Sequence, residues 1–487
     1  MSSIRTRRLA LAAALLATAA AAPAAARERF AIHGQRLGAE RSSTFHDEGA
    51  PALVNGGVAY LDEPRDRAHV LFRAPGEPPR RLQQFEQILD SAIVRGAAFL
   101  ALAGDGHRLA LARYDDYPPA PAGCGGPGAV VAATLNGPAD QVVRSDVAPR
   151  WDPRVDGNDL LIRTVGAPSW RCAAPLRPQV FDLASGGAFP LPVAAKATYP
   201  AIGGRYAAWA DLARANGRRM TRGVVYDFRA RRTVQSTGTF EPLAVAADGT
   251  VVARTFATES GREVDRCGHL WTYDIAAPAP RELPYYTCRP GATRIAGDRI
   301  AFLTGAKGWP LRGRRQRLML GDTAGSPAAA LSERYAWDRP SGPAFGFDFD
   351  GERVAYRTYS CAGERMLNVD EVSTALADGP IAQGTCGATI GLPDSPVDIA
   401  SGFDATIDCR NGCAPRFVVR TGEGNWKLVT PHHLPLGPGH HTLHLRAPKA
   451  RPATDHVVRA ELILRVPQPD GHVAPTFNGM RILSPKR

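Results

Sequence analysis

The sequence predicts an all-β chain: a ring of roughly seven four-stranded blades, followed by a small β-sandwich. Three observations predict this. A four-residue phrase with aspartate at its third position recurs at Asp182, Asp227, Asp274, Asp322 and Asp370, with spacings of 45, 47, 48 and 48 residues. A turn of small residues recurs at the same pitch, and the composition changes near Cys386. A repeat of this length holds one four-stranded sheet, and such sheets stack around an axis as a β-propeller.

The small-residue turns define the first hairpin of each blade. Each turn precedes a short apolar strand, and the seven turns are Asn55-Gly56, Asp105-Gly106, Asp156-Gly157, Gly203-Gly204, Asp248-Gly249, Gly297-Asp298 and Asp350-Gly351. Asp-Gly and Gly-Gly pairs supply the positive φ angles that tight hairpins require. Seven turns predict seven blades within residues 51–385, to within one, because the first two repeats depart from the pattern.

The repeated aspartates stand where the third strand of a blade enters its turn. An aspartate at a strand end can cap the following turn with its own side chain. We therefore expect a structural role for Asp182, Asp227, Asp274, Asp322 and Asp370. A calcium or catalytic role is the competing interpretation.

Together, turns such as Asp350-Gly351 before Val354 to Tyr356 and phrases such as Tyr273-Asp274-Ile275 carry a family resemblance. The sequence resembles the TolB-type, WD-repeat-like propellers of exported bacterial proteins over about two-thirds of the chain. The usual Ser-Pro-Asp-Gly turn is not intact in any repeat. The resemblance implies a scaffold that binds a ligand or protein more often than an enzyme.

The N-terminus indicates export. Arg5, Arg7 and Arg8 precede an apolar stretch over 9–22, and small residues end at Ala26. This pattern is typical of a secretory signal at 1–26, cleaved after Ala26. A membrane anchor is the alternative, but a span needs about 20 apolar residues. We expect a secreted, extracytoplasmic protein without a transmembrane segment, and residues 27–50 are the candidate for a strand that closes the ring.

The eight cysteines agree with an oxidising compartment, since all lie beyond the signal and their number is even. Sequence alone leaves their connectivity open. Their positions in the repeats suggest three pairs: Cys267 with Cys288, Cys361 with Cys386, and Cys124 with Cys172. Cys409 and Cys413 enclose a three-residue hairpin turn that places them opposite each other. Zinc is not expected, because C-x₂-C pairs with nearby histidines are missing.

The chain is basic, with 59 Lys and Arg against 47 Asp and Glu and a formal net charge of +12. The densest arginine clusters lie over 312–317, 214–222 and 229–232, scattered among repeat loops. No stripe combines aromatic and basic residues, so a nucleic-acid partner is not expected. Attraction to anionic cell-wall polymers or lipid headgroups stays open.

Beyond the ring, residues 386–396 are predicted to form a linker, 397–469 an immunoglobulin-like β-sandwich of short strands, and 470–487 a flexible tail. This region holds five of the twelve histidines: His432, His433, His440, His441 and His444. His440 and His444 lie about 13 Å apart along a strand, too far to share one ion. We expect surface histidines.

The motifs of several enzyme classes are missing: there is no G-x-S-x-G, no H-E-x-x-H and no nucleotide-binding loop before a helix. We therefore predict no catalytic, cofactor-binding or metal-binding residues. The predicted function is that of an exported, monomeric binding or scaffolding protein whose propeller face holds a protein, peptide or cell-wall glycan. The alternative is an extracellular carbohydrate-active hydrolase or lyase, whose sign would be two carboxylates about 5–10 Å apart in the central channel.

Overall fold

The computed structural model describes residues 27–32, 51–62, 69–82, 98–105, 108–115, 128–133, 141–147, 154–164, 177–194, 197–198, 200–215, 218–255, 268–277, 279–287, 293–304, 317–332, 347–361, 365–379, 386–422, 424–451, 453–467 and 473–485. In this part of the chain, no helix has the length and apolar character needed to cross a membrane.

The ring begins with β1 (Glu28–Ile32), which belongs to the last blade. Blade 1 comprises β2 (Ala52–Val54), β3 (Gly57–Asp62), β4 (His69–Arg73) and β5 (Arg80–Arg81). Blade 2 comprises β6 (Ala98–Gly104), β7 (Leu109–Asp115), β8 (Gly128–Ala133) and β9 (Gln141–Val147). Blade 3 comprises β10 (Arg154–Asp156), β11 (Asp159–Thr164), β12 (Arg177–Asp182) and β13 (Ala188–Pro190). The pair Val147 and Thr164 joins blades 2 and 3.

The remaining blades follow the same order. Blade 4 comprises β14 (Ala201–Gly203), β15 (Tyr206–Ala215), β16 (Arg218–Asp227) and β17 (Arg232–Thr237). Blade 5 comprises β18 (Phe240–Val245), β19 (Thr250–Thr255), β20 (Gly268–Asp274) and β21 (Arg281–Thr287). Blade 6 comprises β22 (Arg294–Ala296), β23 (Arg299–Leu303), β24 (Leu318–Asp322) and β25 (Ala329–Ala330). Blade 7 comprises β26 (Phe347–Phe349), β27 (Arg353–Tyr359), β28 (Arg365–Glu371) and, as its outermost strand, β1.

The blades form a closed ring around their innermost strands. Each of β2, β6, β10, β14, β18, β22 and β26 contacts the next, and β26 contacts β2 again. Strand β1 pairs antiparallel with β28, from Glu28 opposite Val369 to Ile32 opposite Arg365. The N-terminal strand therefore completes the blade formed by the last strands of the ring. The β-propeller predicted from the repeats is confirmed.

Apolar cores lie between the blades. Leu161 of blade 3 packs with Trp209 of blade 4, and Leu283 of blade 5 packs with Phe302 of blade 6. Between blades 7 and 1, Ile32 on β1 packs in one cluster with Leu53, Tyr60 and Leu367. Each sheet thus covers the apolar face of its neighbour, so no single blade can bury its own hydrophobic surface.

Glycine lets the innermost strands approach closely. A Cβ atom on Gly203 of β14 would lie 2.0 Å from the carbonyl oxygen of Val245 on β18, and one on Gly104 of β6 would lie 2.3 Å from that of Leu53 on β2. Real Cβ atoms cannot come so near a backbone atom. At these two positions the taper of the ring toward its axis requires residues without side chains.

The C-terminal region forms two facing sheets. Its strands are β29 (Ala388–Gly391), β30 (Phe403–Cys409), β31 (Arg416–Thr421), β32 (Gly424–Leu428), β33 (Gly439–Leu445), β34 (Ala453–Pro467) and β35 (Val473–Pro485). One sheet has the order β29-β30-β33 and the other β32-β31-β34-β35. Ile407 and Leu443 of the first share a core with Phe417 and Leu464 of the second. This is a β-sandwich, while its immunoglobulin-like character stays a prediction.

Two boundary predictions are wrong. The flexible tail predicted at 470–487 contains β35, which pairs with β34 from Val473 to Pro485 and buries Met480 and Ile482 against the core. Its prolines and glycine hide the alternation of apolar residues. The linker predicted at 386–396 contains β29, where Ala388 lies opposite Cys409. In addition, a helix that the sequence analysis did not predict, α1 (Val372–Asp378), follows β28 and buries Val372 and Ala375.

Candidate functional site

Four of the five repeated aspartates hold the turn that follows them. Their Oδ1 atoms accept backbone N–H groups: Asp182 from Ala184 at 2.9 Å, Asp227 from Ala230 at 2.8 Å, Asp274 from Ala276 at 2.6 Å and Asp322 from Ser326 at 2.9 Å. Each of these turn N–H groups thereby gains a partner within its own loop. The repeated phrase marks the same structural contact in blades 3 to 6.

Asp370 departs from this pattern. Its side chain is fully buried, its Oδ2 accepts the Tyr356 hydroxyl at 3.0 Å, and its Oδ1 lies 3.4 Å from Nε of Arg27. Burial raises the pKa of Asp370, while the Arg27 charge opposes the rise. Helix α1 replaces the turn here, so this aspartate ties the chain beside the ring-closing strand to blade 7.

Both turns of a blade lie on the same face and are bonded to each other. In blades 3 to 6 the residue after the repeated aspartate, and in blade 7 the second residue after it, donates its backbone N–H to a carbonyl of the first hairpin turn. The bonds run from Leu183 to Asn158, Phe228 to Arg205, Ile275 to Gly249, Thr323 to Asp298 and Val372 to Glu352, at 2.7–3.2 Å. We call the face formed by these paired turns in blades 3 to 7 the tight-turn face.

An arginine joins two blades on this face. Arg229 of blade 4 contacts Asp159 at 2.6 Å and Asp182 at 2.8 Å, both in blade 3, and its guanidinium lies 4.8 Å from the centroid of the Phe189 ring. Burial raises the pKa of Asp159 to about 6 despite the arginine. Burial also opposes ionisation of Asp182, but hydrogen bonds from Arg229, Ser185 and Ala184 outweigh it and lower its pKa to about 2. These polar groups are occupied by contacts within the protein.

Charge divides the tight-turn face into sectors. The turns of blade 4 expose Arg205 and Arg231. The turns of blades 5 to 7 carry acids and no Lys or Arg, while the exposed Arg281 begins β21 directly after the blade 5 turn; the exposed acids of these turns are Asp248, Asp274, Asp298 and Glu352. We call these four carboxylates the acidic sector. Two nearby arginines contact the blade 7 turn. Arg299 donates to the Gly351 carbonyl at 2.7 Å, and Arg353 pairs with Asp350 at 2.8 Å.

Two carboxylates lie near the axis, on the innermost strands. Oδ2 of Asp348 accepts the Leu53 N–H at 2.8 Å and links blade 7 to blade 1. Oδ2 of Asp156 accepts the Gly204 N–H and links blade 3 to blade 4. Burial raises the pKa of Asp348 to about 6 and also raises the pKa of Asp156. The sequence places Asp156 in a hairpin turn and does not single out Asp348, since a lone aspartate in a short apolar strand carries no local motif.

The histidines of the sandwich lie on its surface. On β33, Nδ1 of His444 is 2.9 Å from Asp404 and Nδ1 of His440 is 3.8 Å from Asp408, each across the strand pair. His432 and His433 are exposed. Among the described residues, no group of three or more His, Cys, Asp or Glu has an arrangement that could hold a metal ion.

Two of the cysteine pairs suggested by the sequence are bonded. Cys361 joins Cys386 with a Cα–Cα distance of 5.1 Å, and Cys409 joins Cys413 at 5.5 Å. The first bond connects blade 7 to the residues just before β29. Cys124, Cys172, Cys267, Cys288 and the cleavage site at Ala26 lie outside the described residues.

No model of a known protein family matches the chain. No curated protein matches it either. Among solved structures it is similar to the β-propeller domain of the Trilobed protease from Pyrococcus furiosus, at 13% identity and a TM-score of 0.42 over 67% of this chain and 91% of that one. It is similar to TolB from Acinetobacter baumannii, at 13% identity and a TM-score of 0.33 over 61% and 86%. The WD40 domain of Toxoplasma gondii coronin matches at 11% identity and a TM-score of 0.37 over 71% and 85%.

Proposed function

We propose that this protein is an exported, non-catalytic binding protein that holds a partner on the tight-turn face of its propeller. Of the three partner classes that the sequence suggests, a cationic segment of a protein or peptide suits this face best. The observation that carries the proposal is the acidic sector, four exposed carboxylates presented by successive turns of blades 5 to 7. Opposite charge attracts such a segment and speeds its encounter with the face.

The rigidity of the turns supports this function. Asp274 and Asp322 cap their own turns, and backbone bonds join the paired turns of blades 5, 6 and 7. Asp248 Oδ1 also accepts the N–H of Thr250 at 2.9 Å. A surface held in place before binding loses little conformational entropy when a partner arrives. Binding energy is then available for contacts with the partner.

The axial carboxylates favour binding over the carbohydrate-active alternative. A glycosidase needs two carboxyl groups free to act on the sugar, about 5–10 Å apart. Asp156 and Asp348 each accept a backbone N–H of the neighbouring blade. Their described contacts therefore support a role in joining blades.

Two disulfide bonds support an extracytoplasmic location, because such bonds persist in oxidising compartments. Cleavage of the predicted signal after Ala26 would leave Arg27 as the first residue. Arg27 contacts Asp370 and donates to the Gly379 carbonyl at 2.7 Å, so the exported form would retain the groups that fasten β1.

The test is the binding of a labelled oligolysine peptide to the purified protein, followed by fluorescence anisotropy at low and at physiological salt. We expect binding that weakens with salt and falls about tenfold in Asp248→Asn/Asp298→Asn, because two surface charge contacts are lost. The matched control is Asp404→Asn/Asp408→Asn, which removes two carboxylates from the sandwich and should leave affinity unchanged.

Two results would contradict the proposal. One is an affinity for oligolysine that the Asp248 and Asp298 substitutions leave intact. The other is release of reducing ends when the purified protein is incubated with a panel of polysaccharides, which would favour the hydrolase or lyase.

A further inference from the structure

The outward face of the β32-β31-β34-β35 sheet is strongly basic. The strand registers place six cations on it, which are Arg416, Arg420, Lys427, Arg459, Arg465 and Arg481. Over the rows from Val457 to Arg465, the acid on this face is Glu461, which pairs with Arg420. We call this surface the basic face.

Two like-charged pairs lie directly opposite each other across neighbouring strands. Arg459 faces Arg481 in the β34–β35 pair, and Arg416 faces Arg465 in the β31–β34 pair. Like charges opposite each other destabilise a sheet. The Arg481 guanidinium donates to the Asp394 carbonyl, but the registers place no carboxylate opposite either pair, so an anion bound across the face would offset the repulsion.

The face also exposes apolar groups among its charges. Across the described residues, three large apolar side chains are markedly exposed: Phe477 at 54%, Leu376 at 46% and Val457 at 43%. Phe477 lies opposite Ile463 and Val457 opposite Leu483, so both belong to this face. The Arg420 guanidinium lies 5.9 Å from the centroid of the Phe477 ring. An exposed aromatic ring beside cations is a combination that recognises ligands with both apolar and anionic parts.

The spacing of the cations suits an extended ligand. Outward side chains on a strand recur every second residue, at intervals of about 7 Å. Successive rows hold Arg459 with Arg481, then Arg420, then Lys427, then Arg416 with Arg465. Positive charge thus continues along the sheet over four rows, which matches a linear polymer with repeated negative charges better than a small anion.

We propose that the basic face binds an acidic polysaccharide, with carboxylates paired to the arginines and a sugar ring packed on Phe477. Arginine binds carboxylates through paired, charge-assisted hydrogen bonds. Single-stranded nucleic acid is less well matched, because its binding uses several aromatic side chains for successive bases, and Phe477 is the aromatic residue that the register places here. This site is separate from the tight-turn face and does not depend on the proposed function.

The experiment titrates the purified protein with polygalacturonate, and with neutral dextran, poly-dT and phosphatidylglycerol vesicles for comparison. We expect polygalacturonate to bind most tightly, with an affinity that falls as salt rises, and dextran not to bind. Arg459→Gln/Arg481→Gln should weaken binding about tenfold while changing the melting temperature little, since the loss of a repulsive pair offsets the loss of the Arg481 hydrogen bond to the Asp394 carbonyl. Phe477→Ala should weaken polygalacturonate binding while retaining the salt dependence.

The matched control is Arg232→Gln/Arg281→Gln, which removes two exposed arginines from outer propeller strands and should leave polygalacturonate affinity unchanged. The proposal is overturned if polygalacturonate does not bind, or if the control lowers affinity as much as the Arg459 and Arg481 changes. Equal or tighter binding of poly-dT or of the vesicles would assign the face to nucleic acid or to membrane instead.

Discussion

At the scale of single residues, aspartate has two roles, and the pKa of its carboxyl group shifts in opposite directions in them. At turns such as Asp182 and Asp322, hydrogen bonds to the carboxylate lower the pKa, because they stabilise the charged form. At the axis, burial raises the pKa of Asp348 to about 6, because few water molecules remain to solvate the charge. The same side chain therefore favours ionisation at the rim of a blade and resists it near the centre of the ring.

Replacing Asp348 with Asn should stabilise the protein at neutral pH. The folded pKa of about 6 lies above the ordinary aspartate value of 3.8, so the folded state binds the proton more tightly. Stability of the natural chain then rises as pH falls from about 7 to about 4. Asn keeps an oxygen for the Leu53 N–H and carries no charge.

We expect Asp348→Asn to gain about 1–3 kcal/mol at pH 7.5, with the gain disappearing near pH 4. Melting temperatures of both proteins across this pH range are the measurement. Asp298→Asn, in an exposed turn, is the control and should change stability by less than about 0.5 kcal/mol at any pH. A gain in stability that is largest at pH 4 would show that the folded protein does not raise the pKa of Asp348.

At the scale of elements, β1 is the strand on which closure of the ring depends. Glu28 contacts Arg73 of blade 1 at 3.2 Å, and Phe30 lies 5.4 Å from the Tyr60 ring by centroids. Ile32 is buried between blades 7 and 1. A strand of five residues therefore connects both sides of the seam.

Ile32→Ala should cost about 2–4 kcal/mol, because it removes buried methyl groups and leaves a cavity at the seam. Calorimetric unfolding of the purified variant gives the value. Ala31→Ser, on the exposed side of the same strand, is the matched control and should cost less than about 0.5 kcal/mol. Equal effects of the two changes would mean that β1 is not packed as described.

At the scale of the whole molecule, the bond between Cys361 and Cys386 links propeller and sandwich. It closes a loop with a sequence separation of 25, whereas Cys409 and Cys413 are separated by 4. Both cysteines of the longer loop lie in the same core cluster as Ile407 and Leu464. The sandwich core therefore extends to a residue that belongs to the last blade.

Removing the two disulfide bonds separately should give unequal losses. Loop entropy predicts about 3.5 kcal/mol for Cys361→Ala/Cys386→Ala and about 2 kcal/mol for Cys409→Ala/Cys413→Ala. Thermal unfolding under oxidising conditions measures both, and limited proteolysis should release the sandwich faster from the first variant. A larger loss from the shorter loop would contradict the entropic argument.

The ring of blades could be predicted from the sequence because the turns and aspartate phrases that indicate it are local features. A turn such as Asp156-Gly157, where Gly157 has a φ of 57°, needs only neighbouring residues to be recognised. Asp370 has the same phrase as the other repeated aspartates, but its carboxylate contacts Arg27. Asp348 accepts a hydrogen bond from Leu53. Both partners are far away in sequence, so no local pattern reveals these contacts. The basic face was missed for a similar reason, since its arginines come from strands whose register the sequence does not reveal.

The closing strand also has a consequence for the order in which the protein folds. Arg27 donates a hydrogen bond to the carbonyl of Gly379, 352 residues later, so synthesis delivers one half of this joint first and the other half near the end of the ring. Until then the last blade is incomplete and the ring cannot close. Closure of the ring therefore waits for the strands of the last blade, although its outermost strand is the first to be made.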